Sequence, residues 1–270
     1  MFANFDISVR APVVAGTFYP ESAGTLSRTV DDLLAGADVR QRLQRCGVIS
    51  PHAGYGYSGA IAAAAFSSVR SLHGRIERAA VVGPAHFVPF PCIAAPSHTA
   101  FATPLGEISV DVAAVEALGA HALVSIDDEP HAPEHAIEVE LPVLQTIFGR
   151  LPIVPLLFGS TSAAAVAAAI ARVWTDDTLL VVSTDLSHFQ DYESACRHDQ
   201  RTAAAIEACD EAAIGSSDAC GHLAVRGALI EASRRGLAIE QLALRNSGTQ
   251  QAIAEVSSAM ARGPSTRDGE

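Results

Sequence analysis

The chain has 270 residues, 49% of them hydrophobic, enough apolar area for one sizeable core. Its 30 acidic and 18 basic residues give a formal charge of −12, the wrong sign for a surface that neutralises a phosphate backbone, so nucleic acid is not an expected partner. All basic residues are arginine, which excludes Schiff-base lysine chemistry and the lysine of a phosphate loop.

Residues 1–10 include Asp6 and no long apolar run, so neither a secretory signal nor a membrane anchor is expected. Cys46, Cys92, Cys196, Cys209 and Cys220 are widely spaced with no C-x-x-C pair, and read as reduced thiols of a cytoplasmic protein. Four short runs, 47–50, 79–83, 152–158 and 179–183, are apolar on both faces, as strands covered by helices must be. Helical patterns at 58–69, 134–148 and 162–174 alternate with them, which predicts a mainly parallel or mixed sheet in a three-layer α/β/α arrangement. Further helices are expected at 192–214 and 217–233, the latter capped by Ser217 or Asp218. Strands are expected at 237–244 and 252–260. The pattern fits one domain over 1–263, with 264–270 a polar, disordered tail.

Three of the apolar runs end in Pro51-His52, Pro84-Ala85-His86 and the stretch from Asp185 to His188. Ligands of open α/β sheets bind outside the carboxyl ends of the strands, so three strands aim imidazole at one crevice. Histidine is the commonest metal ligand, and two histidines plus a third donor leave coordination positions open. Asp185 and His188 stand three apart, one helical turn, a spacing suited to proton transfer or to orienting a ligand. Taken singly, each of these histidines would more often be a loop or hydrogen-bonded core residue; their coincidence at three strand ends favours a site.

Two competing motifs are weaker. The glycines Gly54, Gly56 and Gly59 spell G-x-G-x-x-G, but three residues separate them from the strand and no acid closes the next one, so a nicotinamide site is not favoured. His131, Glu134 and His135 spell H-x-x-E-H; Pro133 belongs at a helix start and puts His131 outside the helix, against a zinc peptidase. Glu134 and His135 remain pocket candidates.

Residues 10–20 (RAPVVAGTFYP), 51–59 (PHAGYGYSG), 83–86 (GPAH), 103–106 (TPLG), 134–142 (EHAIEVELP), 183–188 (STDLSH) and 220–221 (CG) together resemble the Memo (mediator of cell motility) family. The resemblance implies a fold like that of the LigB-type, class III extradiol dioxygenases, which hold non-haem Fe(II). It puts His52 and His86 on the metal-ligand histidines and Asp185 and His188 on a catalytic pocket pair. It implies Fe(II), with copper or zinc as alternatives, a small-molecule or peptide ligand, and a functional link to radical-SAM proteins. Some family members supply a further cysteine near the C-terminal strand; here residues 246–250 contain none, and Gln250 is the positional substitute. Glu134, Asp185 or water are the candidates to complete the metal shell, and Cys220 is a further pocket candidate. Two functions follow: a metal-dependent oxygenase of unassigned substrate, or a non-catalytic metal- or peptide-binding module that keeps the dioxygenase fold.

Overall fold

The computed structural model describes residues 8–37, 45–120, 124–246 and 252–262. Its strands are β1 (Val9–Arg10), β2 (Arg45–Ser50), β3 (Arg78–Pro84), β4 (Ile93–Ala95), β5 (Ala100–Thr103), β6 (Gly106–Ser109), β7 (Val124–Ile126), β8 (Ile153–Phe158), β9 (Thr178–Ser183), β10 (His188–Gln190), β11 (Leu237–Asn246) and β12 (Ala252–Arg262). Its helices are α1 (Ala23–Ala35), α2 (Tyr55–Ser67), α3 (Val112–Gly119), α4 (Leu141–Phe148), α5 (Ala163–Val173), α6 (Tyr192–Glu207) and α7 (His222–Arg234).

The large sheet runs β10-β12-β2-β9-β3-β8-β4-β7, with β11 pairing β12. Its centre, β2-β9-β3-β8, is parallel. β12 joins β2, and β4 joins β8, in antiparallel fashion, so the sheet is mixed around a parallel core. The central strands are Val-, Leu- and Ile-rich because both faces are covered: Val81, Val82, Leu156, Leu157, Val181 and Val182 are all fully buried. A small separate sheet, β1-β5-β6, ties the N-terminal segment to the body.

Helices α2 and α4 contact one another, as do α5 and α7, and α6 lies against β11 and β12. α5 buries Val166, Ile170 and Val173, an i, i+4, i+7 stripe. It lies so close to α7 that a Cβ on Gly227 would stand 2.3 Å from Val166. None of the described helices is long and apolar enough to cross a membrane.

Three expected boundaries move. The helix expected from 217 begins at His222 with Gly221 as its N-cap; Asp218 instead accepts from Gly215 N and pairs with His198. The stretch 134–148 is helical only from the 3-10 turn at Glu138–Glu140 into α4, because the Glu134 carboxylate takes the N–H groups of His135 and Ala136 and folds a turn there. The stretch 192–214 divides after α6, where Cys209 adopts φ 53°. The expected tail 264–270 lies outside the described residues.

Candidate metal centre

The carboxyl ends of β2, β3 and β9 deliver His52, His86 and Asp185 to one crevice. The His52 and His86 rings are 5.2 Å apart between centroids, and His135 packs against both at 5.4 and 4.8 Å. Cys220, on the turn before α7, completes the group. Its Sγ is 3.4 Å from His52 Nε2, and donor atoms of His52, His86 and Cys220 lie within 4.8 Å of one another. A second such group, His86, Glu134 and His135, shares His86.

Hydrogen bonds distinguish the two groups. Ser183 Oγ gives its single proton to Ala136 O at 2.7 Å and sits 2.8 Å from His52 Nδ1, so Nδ1 must be the protonated nitrogen and Nε2 keeps a lone pair toward Cys220. Glu134 Oε1 accepts from His86 Nδ1 and from the N–H groups of His135 and Ala136, and Oε2 accepts from His86 N. Burial alone would raise the Glu134 carboxyl, but the bond and electrostatic pull of the His86 ring and the backbone donors hold it down to about 2. That carboxylate is already satisfied. It orients the His86 ring and leaves Nε2 as the free donor.

Burial first, then the neighbouring His86, push His52 down to about 3, and burial with His52 pushes His135 down to about 4. Both imidazoles are therefore neutral and able to donate lone pairs. Burial and the nearby Asp185 charge push the Cys220 thiol up to about 12; a bound cation would reverse that and draw off the proton.

Cys220 enters the crevice because Gly221 lets α7 approach the β9 loop. A Cβ there would stand 2.8 Å from Thr184 Oγ1 and 2.9 Å from Ser183 O. The Cys220 sulfur in turn receives Asp185 N at 3.3 Å. Among the described residues, the donor beside the two histidines thus comes from the turn before α7; Gln250 lies outside the described residues.

Asp185 accepts the His52 backbone N–H at 2.8 Å, and its other oxygen is 3.9 Å from His52 Nε2. Burial raises its pKa, opposed by that backbone bond and by the charge of His188. The helical turn expected between Asp185 and His188 is not formed. Residues 184–187 are neither helix nor strand, and His188 opens β10, beside Phe189 at φ 60°. His188 remains within electrostatic reach of His52 and Asp185. His131 faces away, its Nε2 bonded to Ala94 O, which disposes of the H-x-x-E-H reading. At the G-x-G-x-x-G stretch, Tyr55 N is taken by Phe18 O at 2.7 Å, so the first amide of α2 is closed to a phosphate.

Two supports went unread in the sequence. Arg10, 3% exposed, donates to the carbonyls of His131 and Glu134 and pairs with the fully buried Glu138. Glu138 also accepts from Tyr19 Oη and from the N–H groups of Val13 and Val14. Behind His52, Ser50 Oγ donates to the buried Glu140 at 2.9 Å.

The Memo-like protein profile matches residues 10–257. The chain belongs to the Memo-like family. MEMO1 family proteins similar to it include one from Aeropyrum pernix, 32% identical over 268 residues, covering 90% of this chain and 94% of that protein. Another, from Thermotoga neapolitana, is 34% identical over 218 residues, with 75% and 78% coverage. A third, from Nitrosopumilus maritimus, is 32% identical over 203 residues, with 71% and 72% coverage. Among solved structures, the uncharacterized protein JW3007 from Escherichia coli K12 overlaps 71% of this Memo-like chain and 91% of its own, with TM-score 0.47 and 15% identity.

Proposed function

We propose that this Memo-like protein holds a single Fe(II) ion through His52, His86 and Cys220, in a pocket of extradiol-dioxygenase type that handles oxygen chemistry. The observation that carries the reading is the tautomer pattern. Ser183 and Glu134 engage the two Nδ1 atoms, leaving two imidazole lone pairs beside one sulfur, with the three donors within 4.8 Å. Three donors leave coordination positions open, as a catalytic site requires.

When bound, iron supplies Lewis acidity and redox capacity. The chain supplies the rest. Glu134 fixes the His86 ring, Ser183 fixes that of His52, and Cys220 loses its proton as the ion binds. Asp185, buried and raised in pKa, takes up a proton at its carboxylate. His188, half-buried in the same loop, carries it toward solvent.

The thiolate favours a second reading. Sulfur is a soft donor that suits Cu(I) or Zn(II), and a non-catalytic metal-binding module needs no proton path. Anaerobic loading with each metal, elemental analysis and oxygen uptake with a panel of catechols separate the readings. Turnover supports the oxygenase; occupancy by copper or zinc without turnover supports the module. His52→Ala, His86→Ala and Cys220→Ser should each lower occupancy at least tenfold, taking roughly 1.4 kcal/mol as the least a lost donor costs. His73→Ala, whose ring stacks on Phe148 away from the crevice, should not. Full occupancy in the His52/His86 double variant would remove the site from this crevice.

A further inference from the structure

At the opposite end of the sheet, beneath the starts of β2, β3 and β9, lies a cleft of about 770 Å³. We propose that it binds a small organic phosphate, with Arg235 and Arg75 gripping the phosphate group.

Charge is concentrated there against the trend of the molecule. A chain of net charge −12 with 18 arginines lines this one cleft with Arg75, Arg234, Arg235 and Arg262. Two carboxylates oppose them: Asp176, paired with Arg262, and Glu231, paired with Arg234 and Arg235. The C-termini of α5 and α7 add about half a negative charge each, and a surplus of about one positive charge remains.

Capping of α7 accounts for Arg234, whose Nε and Nη2 both reach Glu231. It does not account for Arg235 or Arg75. Arg235 donates only Nε to the buried Glu231, at 2.6 Å, while its guanidinium lies 4.6 Å over the ring of Trp174. The stack and the anchored Nε hold the fork rigid, and neither Nη has a hydrogen-bond partner among the described residues. Among the described residues the Arg75 side chain likewise has neither a hydrogen-bond partner nor an ion pair. A rigid guanidinium fork with free Nη groups is the geometry that grips an oxyanion through two parallel bonds.

A phosphate dianion matches two such guanidiniums better than a monoanionic carboxylate does. Leu72, Ile76 and Leu237 give the cleft an apolar wall for the rest of the molecule, and its volume is in the range of small-ligand sites. Cys46, also lining it, stays a neutral thiol: burial pushes it up to about 11 although Arg262 and Arg235 pull the other way. The cleft therefore brings no thiolate of its own to satisfy the arginines.

Trp174 is the only tryptophan, so its emission reports on this cleft and on no other part of the protein. Titration with phenyl phosphate, at millimolar concentration and low ionic strength, should change that emission saturably and release or absorb matching heat in calorimetry. Inorganic phosphate should compete, and phenol should do nothing. Arg75→Ala removes a side chain that holds nothing in the fold, and should weaken phenyl phosphate about tenfold or more. Arg235→Lys should weaken it too, since lysine keeps the charge and loses the fork. Arg150→Ala, an exposed arginine at another cavity, should leave it unchanged. The proposal falls if phenyl phosphate does not bind, if Arg75→Ala binds it as tightly as the parent, if Arg150→Ala costs as much, or if benzoate binds equally well. None of these readouts involves the metal.

Discussion

Glu140→Gln should make the protein more stable at neutral pH, although it alters a fully enclosed polar group. Glu140 is 1% exposed, with one oxygen bonded to Ser50 and the other without a partner among the described residues. Burial lifts its pKa from 4.5 to about 8; the bond from Ser50 opposes, and Asp185's charge assists. The native state keeps a proton that the unfolded chain has released, so this contribution is fully present below about pH 4.5 and is lost as pH rises through about 8. At about 1.4 kcal/mol per pH unit, roughly 3 kcal/mol is gone by pH 7 and roughly 4 by pH 8, where the native group is itself half ionised. Glutamine keeps the shape and an acceptor for Ser50 but never ionises; its extra N–H, if unpaired, costs about 1 kcal/mol. The variant should therefore be slightly less stable than the parent near pH 5, cross it below about pH 6, and exceed it by about 2 kcal/mol at pH 7. Urea unfolding of the metal-free proteins across this range reads the difference directly. Other buried groups with raised pKa values, Asp199 and Cys220 among them, contribute to both curves and cancel. A stability difference that stays constant with pH would refute the reasoning, because it would mean that Glu140 ionises normally inside the fold.

Arg10→Met should cost about 3–5 kcal/mol in urea unfolding, the range for stripping one partner from a buried ion pair, since Glu138 is fully buried. Arg10→Met combined with Glu138→Gln should recover part of that loss, and no recovery would show that Arg10 acts through its carbonyl contacts alone. Gly221→Ala forces a Cβ within 2.9 Å of Ser183 O, so about 1–3 kcal/mol of strain and a displaced Cys220 should follow, read as lower metal occupancy. Gly24→Ala, where nothing lies within 4 Å, should instead gain up to about 1 kcal/mol and leave occupancy alone.

The parts of this fold that are legible in the sequence are those where one physical demand acts alone. Strands β3, β8 and β9 are buried on both faces and so read as unbroken apolar runs. Three-residue strands such as β4 and β7 carry no such run, and α1, with its buried stripe of Leu26, Val30 and Leu34, is not among the helices expected from the sequence. At the site, His52 and His86 are visible because strand ends point to a crevice. Cys220 is placed only by a contact across 168 residues, and its single local signal is the glycine that follows it.

The segment from Glu134 to Glu140 shows why the remainder is hidden. Three glutamates fall within seven residues, and all three are at most 3% exposed. Each is buried on different terms. Glu134 is ionised because His86 and three backbone N–H groups surround it. Glu138 is held by Arg10, Tyr19 and the strap at Val13 and Val14. Glu140 has one hydroxyl donor and keeps its proton. Apart from the two neighbouring amides that bond Glu134, their hydrogen-bond partners lie 48 to 128 residues away in sequence, so no local pattern reveals them. Enclosing three carboxyl groups is costly in any fold, and here each one touches a residue that holds the crevice in shape: His86, the N-terminal strap, and the strand that ends in His52. A domain of this size could fill that space with apolar side chains. Acids retained there, each with specific donors, fit a segment whose task is to position imidazoles, and the pH dependence expected of Glu140 is the cost of doing so without a counter-charge.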